Sequence, residues 1–568
     1  MTVIEQIQKD LNKALEQLGF GSLVDIRVEH PRDMSHGDFA TNIAMVLSKQ
    51  LERPAFDIAK EIQEQLLKEN IGYISDIHVA QPGFINITLS QDFFSKEMGA
   101  ILRNKETYGK NHSWKGKKIL VEHSSPNLFK PFHIGHMMNN TIGEAIVRIC
   151  KTSGADVTAI SYPSDVSLGI GKAVWKLLDY GVDTLDQYKT LPEKLKFLGR
   201  CYAEGTEALQ NHPELESRIR EITQDIYEHR DTEAYRAYLV GRDLNLEYFN
   251  SMTQQLGSTF DDFIFESEAG IIGKEIIEKN IPQIYSSSQG AVIYEGEKDG
   301  LHTRVFINAD GNPTYETKDT GLLKLKFDRY HPDLSIFVTD HEQGPYFQVV
   351  VSAAGKINSE WKEKTVHKTH GRMKFKGEKM SSRLGNTPLV SDMIDTVIDE
   401  LVEQNKSREL NRREQEIIAI GALKYTILRV QAGKDINFDP EKSLSFEGDS
   451  GPYLQYTYAR SRSLLRRAEE SQIISSEEVP YSWETTDLER YLSRYPEVLE
   501  ESFLSLQPHL VVNYVTELAQ IFNTWYGQEK IIDTENKESP YKLVLVMATA
   551  EVIKNALGVL GIETLEKM

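Results

Sequence analysis

The stretch SSPNLFKPFHIGHMMNN, Ser124 to Asn140, gathers Lys130, His133 and His136 around Gly135, directly after the apolar run KILVEH. A strand hands over to a helix here, and a helix N-terminus offers free backbone N–H groups and a positive dipole end that attract anions. Two imidazoles at that spot can donate hydrogen bonds to charge developing on phosphorus without acting as nucleophiles. Gly135 lets a phosphate or a nucleobase approach the backbone closely. The His-x-Gly-His spacing also suits metal ligation, but no carboxylate or thiol falls at a matching helical spacing, which argues against a metal.

Far downstream, GRMKFKGEKMSSRLGNT, Gly371 to Thr387, is rich in Gly, Lys and Ser and shows no apolar periodicity that would make it a core element. Lys379 with Ser381 and Ser382 makes a cationic, hydroxyl-bearing loop suited to gripping a polyphosphate during in-line attack at its α-phosphorus. Standing alone, such a loop reads equally well as a solvated basic segment. The histidine loop beside a strand end favours the nucleotide reading.

The elements that must position these loops are legible in outline. KILVEH, the histidine loop, a helical GHMMNNTIGEAIVRICKTSG and a strand DVTAIS form a βαβ entry into a parallel, doubly wound sheet, where ligands bind outside the carboxyl ends of the strands. Residues 175 to 260 are charged and helix-patterned, an insertion into that sheet. Strands return in AVIYEGE, TRVFINADG and LSIFVTD. Upstream, a helix carrying Ile4, Ile7, Leu11, Leu15 and Leu18 on one face is followed by helices over FATNIAMVLSKQL and AFDIAKEIQEQLLKEN and by a strand, GFINITLS, that alternates Ile85, Ile87 and Leu89 with polar residues. The polar NKETYGKNHSWKGKK reads as a linker. From about 405 every long segment is helical. The expectation is a multidomain α/β chain: an N-terminal α+β domain over 1–100, a Rossmann-like doubly wound parallel-sheet catalytic domain over 113–390, and a C-terminal all-α helical bundle over 405–568.

Composition narrows the partners. No run approaches the roughly 18 to 20 apolar residues of a membrane span, and the acid-bearing N-terminus lacks an apolar signal core, so a cytoplasmic protein is expected, with no membrane partner. Cys150 and Cys201 are too few for a disulfide framework or a thiolate zinc site, and small buried hydrophobes are the simpler reading. The formal net charge of −20 argues against nucleic acid as a global sum, but local basic faces such as YARSRSLLRRA can still bind RNA.

His133–His136 with KMSSR resembles the signature pair of class I aminoacyl-tRNA synthetases. VEHSSPNLFKPFHIGH, HGRMKFKGEKMSSRLGN, GPYLQYTYARSRSLLRRA, VIKNALGVLGIETLEKM, HGDFATNIAMVLSK and QPGFINITLS, in family order over nearly the whole chain, resemble arginyl-tRNA synthetases. The resemblance implies activation of L-arginine with ATP to an adenylate and transfer to tRNA(Arg). Mg2+ is expected with the ATP, no tightly bound structural metal, no DNA partner, and a monomer. It nominates His133, His136, Lys379 and Lys130 for catalysis, and these with Gly135, Gly371, Met373, Ser381 and Ser382 for ATP. Glu122, Ser125, Asn127, Tyr315, Asp319 and Gln343 would meet arginine, Asp319 reading the guanidinium. Two buried carboxylates would discriminate, because lysine's ammonium cannot copy a bidentate fork. Gln81, Phe84 and Asn86, the last two exposed on their strand, would meet the outer corner of the tRNA, and Tyr456 and Arg460 the anticodon side. In the broader class a second Lys stands where this chain has Ser382, and the resemblance gives its role to Lys130. MMNNTIGEA and SYPSDVSLGIG depart from the family pattern, and neither contributes a site residue to this reading. The rivals are a class I synthetase for another amino acid, a non-catalytic tRNA-binding homologue, and a small-molecule nucleotidylyltransferase, which would not need the helical domain.

Overall fold

The computed structural model describes residues 2–568 apart from 22–25, 131, 377–388 and 407–408. Thr2 starts the first helix with a capping box: its hydroxyl accepts from the Glu5 N–H and the Glu5 carboxylate accepts from the Thr2 N–H. Helices α1 (Val3–Gln17), α2 (Ile43–Leu51) and α3 (Ala55–Lys68) pack with an antiparallel sheet of β1 (Val28–Glu29), β2 (Phe39–Thr41), β3 (Ile74–Ala80) and β4 (Phe84–Leu89), in the order β1-β2-β4-β3. FATNIAMVLSKQL is therefore not one helix. Its first three residues pair with β4 and bury Phe39 before α2 begins. Because β4 is an interior strand, Asn86 is only 7% exposed, against the expectation that it faces solvent.

Helix α4 (Gln91–Asn104) was not expected. It buries Met98 and Ile101 in the core shared with the C-terminal bundle, so the first domain's own core ends before residue 100. The polar linker that follows is anchored to that bundle, Tyr108 stacking on Tyr495 with ring centroids 6.2 Å apart.

The central sheet is five-stranded and parallel, order β12-β11-β5-β6-β7 in chain numbering. Its first strands are β5 (Lys118–Glu122), β6 (Asp156–Ser161) and β7 (Asp262–Phe263), with α5 (Ile134–Thr152) crossing from β5 to β6. Between β6 and β7 lie α6 (Leu168–Tyr180), α7 (Leu191–Asn211), α8 (Glu216–Tyr227) and α9 (Glu233–Gln255). This insertion starts ahead of residue 175 because the Ser167 hydroxyl caps α6 at the Ile170 N–H, 3.2 Å. After α10 (Glu266–Lys279), β8 (Ser286–Ser288), β9 (Ala291–Tyr294) and β10 (Arg304–Ile307) form a separate antiparallel sheet, so AVIYEGE and TRVFINADG do not join the parallel one. Then come α11 (Tyr315–Tyr330), β11 (Leu334–Asp340), α12 (Gly344–Ile357), α13 (Ser359–Glu363) and β12 (Thr365–His370).

β13 (Met373–Phe375) pairs in parallel with β14 (Ile436–Phe438), a strand inside the region expected to be wholly helical. The helices around it are α14 (Val390–Gln404), α15 (Arg412–Leu428), α16 (Pro440–Ser443), α17 (Gly451–Glu470), α18 (Asp487–Leu492), α19 (Tyr495–Ser505), α20 (His509–Gln528) and α21 (Ser539–Val559). One continuous core joins α5 to this bundle. Two cations reinforce the joint. Arg148 on α5 donates to the carbonyls of Gly257 and Gly558 at 2.7 and 2.8 Å, and buried Lys424 on α15 donates to those of Leu256 and Gly561 at 2.5 and 2.6 Å. Both therefore clasp the C-terminal ends of α9 and α21, where carbonyls lack helical partners.

The N-terminal domain is held by Asp38, whose carboxylate accepts the Leu89 N–H at 2.7 Å and pairs with Arg490 of α18, both side chains largely buried. Asp38→Ala leaves Arg490 without its counter-ion, and we expect a loss of about 3 kcal/mol at this joint. Hydrogen exchange should show the amides of β4 and α18 opening together.

Candidate active site

His133 is the N-cap of α5. Its Nδ1 accepts the Gly135 N–H at 3.1 Å, and the Nδ1 of His136 accepts the His133 N–H at 3.2 Å, a reciprocal capping box built from two imidazoles. Their rings stack with centroids 3.9 Å apart, and Phe132 stacks on His136 at 5.1 Å. Since each Nδ1 accepts, this hydrogen-bond pattern assigns the ring proton to Nε2 in both residues. Burial pushes both pKa values down, His136 to about 3, with the charge of Lys130 adding to the effect. The pair is thus neutral near pH 7, with an N–H donor on each Nε2. Gly135 packs closely on its neighbour: a Cβ there would lie 3.0 Å from the Cε1 of His133 and would push the ring by a few tenths of an ångström.

The loop leading into this pair is pinned from the insertion. Leu128 and Phe129 enter the insertion's core, the Phe129 N–H donates to Asn245 Oδ1 at 3.1 Å, and the Phe129 ring fills the space a side chain on Gly241 would take. Exposed Lys130 lies over the ring of Tyr202 on α7, 5.0 Å from its centroid. The MMNN segment has a structural account: Met137 and Met138 are core, and Asn139 accepts the Ser124 N–H and donates to Val338 O, both at 2.6 Å. Asn139 thereby fixes α5 against the ends of β5 and β11.

A second pocket lies beside this loop. Glu122 at the end of β5 is ion-paired with Lys326 of α11, both buried, and Lys326 lies 5.3 Å from the Phe337 ring centroid. Glu266 is likewise paired with Lys318 at 2.9 Å. Asp319, between these lysines on α11, has no ion-pair partner among the described residues; it accepts a hydrogen bond from the Tyr346 hydroxyl at 2.5 Å. Burial, and then the carboxylates of Glu266 and Glu122, push the pKa of Asp319 up to about 7 against the pull of Tyr346 and Lys326. Glu122, Asp319, Lys326, Phe337 and Phe347 line one cavity. Of the two buried carboxylates expected to discriminate, Glu122 is paired with Lys326, and Asp319 has no ion-pair partner among the described residues.

The remaining sequence candidates divide. Ser125 and Asn127 stand exposed at the strand ends, Ser125 Oγ accepting the Tyr162 N–H at 3.3 Å and Asn127 bridging to Ser164. Tyr315 is 61% exposed at the first turn of α11 and does not line the cavity; the phenol on Asp319 is Tyr346, which sequence reasoning missed because it sits on a different helix. Gln343 is exposed at the turn before α12. Gly371 is packed so tightly on the Lys434 carbonyl that a Cβ would approach it to 2.2 Å. Met373, on a strand taken as loop from the sequence, is core, so its side chain is withheld and only its backbone is left for a nucleotide. Lys379, Ser381 and Ser382 lie outside the described residues. In SYPSDVSLGIG, Asp165 accepts from the Ser267 N–H and hydroxyl at 2.9 and 2.7 Å and from the Tyr238 hydroxyl at 3.1 Å, a buried buttress under the pocket.

On the helical domain, Arg460 lies 4.9 Å from the ring centroid of Tyr456 and 5.3 Å from that of Tyr526, and donates to Asn523 at 2.6 Å. Arg462 and Arg466 are engaged by Glu566, and Tyr458 is buried with its hydroxyl on the same residue. Gln81 is exposed and Phe84 half-buried, while Asn86 is withdrawn into the sheet.

A neutral histidine pair capping the helix after a central strand of a parallel sheet, a carboxylate pocket at the same strand ends and an appended helical bundle agree with the expected class I synthetase architecture. Comparison with known proteins narrows this. Residues 5–89 match the arginyl tRNA synthetase N terminal domain, 97–439 the catalytic domain of class I (R) tRNA synthetases and 454–568 the DALR anticodon binding domain. The arginine–tRNA ligase of Clostridium perfringens is 30% identical, covering 100% of this chain and 99% of that protein; that of Parabacteroides distasonis is 31% identical over 90% of each. The solved arginyl-tRNA synthetase of Thermus thermophilus superposes with a TM-score of 0.76 at 22% identity, covering 99% of this chain and 100% of that one. The Plasmodium falciparum enzyme gives 0.78 at 18%, covering 100% of both. The chain belongs to the arginyl-tRNA synthetase family.

The capping geometry separates structure from chemistry at His133. In His133→Asn the side-chain oxygen keeps a helix cap while the Nε2 donor is lost. We expect an unchanged melting temperature and a fall of about 100-fold in ATP–pyrophosphate exchange.

Proposed function

We propose that this chain joins L-arginine to tRNA(Arg) at the expense of ATP in the following way. The carboxylate of arginine attacks the α-phosphorus, pyrophosphate leaves, and a hydroxyl of the tRNA's terminal adenosine then attacks the adenylate carbonyl, releasing AMP. The Nε2–H groups of His133 and His136 donate to the α-phosphate oxygens as charge develops there, and their neutrality lets them remain donors without changing charge in the reaction. Lys130 and Lys379 draw on the departing pyrophosphate, with Ser381 and Ser382 beside Lys379. Mg2+ would be held by the phosphates of ATP, where it would offset their charge. Ser125, Asn127 and Gln343 meet the amino-acid backbone, and Asp319 takes the guanidinium, with Tyr315 near the helix end.

The observation that supports the arginine reading is the charge pattern of the cavity: Glu122 and Glu266 have lysines of their own, and Asp319 does not. A substrate cation completes that pattern, and a planar fork matches a carboxylate better than an ammonium does. Arg460 between Tyr456 and Tyr526 supplies faces on which unpaired anticodon bases stack, while Gln81 and Phe84 meet the tRNA's outer corner. The enzyme acts as a monomer in the cytoplasm; among the described residues no helix is long and apolar enough to cross a membrane.

The decisive assay is ATP–pyrophosphate exchange over a panel of amino acids, with and without tRNA. Exchange is expected with arginine and cognate tRNA alone; exchange with a different amino acid overturns the substrate, and none under any condition makes the chain a binding module.

Asp319 adds a pH test. Its folded-state pKa of about 7 is raised, so near and below that pH the empty site holds a proton that arginine must expel. The KM for arginine is therefore expected to be flat above pH 7 and to rise by up to about tenfold per pH unit below it. Asp319→Asn should raise KM and remove the slope, leaving tRNA affinity unchanged.

A further inference from the structure

Tyr162 follows β6 at the carboxyl edge of the sheet, inside SYPSDVSLGIG, one of the two segments that depart from the family pattern. Its ring is packed with Leu120, Ile160, Ile264 and Leu322, and the residue is 7% exposed. Its backbone N–H is held by Ser125 Oγ. Its hydroxyl is near enough to Asp319, Glu266, Glu122 and Tyr346 to feel their charges, and among the described residues it has no hydrogen-bond partner.

The neighbours explain why the hydroxyl is left over. Tyr346 donates its hydrogen bond to Asp319, Glu122 is taken by Lys326, and Glu266 by Lys318. A buried polar atom without a partner is unfavourable, and native chains rarely keep one unless something else satisfies it. Tyr162 stands directly behind the Asp319 cavity, packed with Leu322, which lines it one turn along α11 from Asp319. A guanidinium carries five N–H donors in a fixed plane, more than one carboxylate can accept, and a phenol oxygen accepts as well as donates.

We propose that Tyr162 is a second reader of the substrate guanidinium, its hydroxyl oxygen accepting an N–H that Asp319 leaves unmatched. The proposal rests on the arginine reading of the Asp319 pocket. It makes Tyr162 a specificity-determining contact: an ammonium, smaller and without the planar fork, leaves the phenol unsatisfied and so meets the same penalty as the empty site.

The test is Tyr162→Phe, which removes one oxygen and keeps the packing. Melting temperature is read without ligand and with saturating arginine, and the KM and kcat for arginine are read by ATP–pyrophosphate exchange in the presence of tRNA. We expect the free variant to melt at the same temperature or higher, its arginine-induced shift to shrink, and KM to rise about 10-fold or more with kcat within about 2-fold. Discrimination against lysine should fall in parallel. An unchanged KM overturns the proposal. A free variant that melts lower overturns it too, since the hydroxyl would then have a partner within the protein. Asp319→Asn, measured alongside, separates the two layers: if it leaves KM unchanged, the pocket itself is misassigned; if it raises KM while Tyr162→Phe does not, only the role of Tyr162 falls.

Discussion

Helix α5 is the constraint on which the rest of the structure depends. Its N-terminus presents two imidazoles kept neutral at pH 7 by burial: the His133 and His136 rings stack on one another, Phe132 stacks on His136, and each imidazole uses its Nδ1 to cap the helix. The same atoms that begin the helix therefore fix the tautomer that the chemistry needs. Burial requires walls, and the walls come from elsewhere in the chain. Phe132 and Met137 belong to the core shared with the C-terminal bundle, whereas Leu128 and Phe129 belong to that of the helical insertion. At the far end, Arg148 holds the terminal carbonyls of α9 and α21. One rigid element thus begins at the histidine cap and ends in the joint between the insertion and the C-terminal bundle.

The amino-acid pocket follows a different electrostatic rule. Three carboxylates enter a region of low dielectric, where an unpaired charge is expensive. Two are balanced by Lys326 and Lys318, and the third is held by a phenol and drawn toward its protonated form. That arrangement keeps the empty protein stable and leaves a single place at which an incoming cation gains more than it loses. Selectivity for a guanidinium then depends less on how many acids surround it than on which of them are already balanced.

Much of this was legible in the sequence and some was not, for identifiable reasons. KILVE, DVTAIS and LSIFVTD are short apolar runs with no alternative to burial, and they form the parallel sheet as expected. His133, His136 and Gly135 are local in sequence, so their juxtaposition could be read from spacing. The carboxylate pocket could not. Lys326 and Asp319 share a helix, but their partners Glu122 and Tyr346 come from a strand and from another helix, and no periodicity in the chain encodes that meeting. FATNIAMVLSKQL was misread because Phe39–Thr41 satisfies a neighbouring strand's backbone, a tertiary demand that overrides a helix-like pattern. Asn86 failed for a related reason: alternation shows which face is apolar, not whether the opposite face is also covered.

The charge of the chain has to be reconciled with an RNA partner. At a formal −20, long-range attraction for phosphate is weak, and several of the cations that look available in the sequence are engaged internally: Arg462 and Arg466 by Glu566, Arg490 by Asp38, Arg148 by Glu144 and two carbonyls. What the bundle offers is Arg460 set between two tyrosine rings, a surface whose attraction for a base is stacking and cation–π rather than counterion release. Such a surface works at short range and only on bases that are unstacked. On the reading proposed for Arg460, an acidic protein built this way would give up indiscriminate affinity for nucleic acid and keep recognition of a splayed loop, which suits selection of one tRNA among many of nearly identical shape and charge.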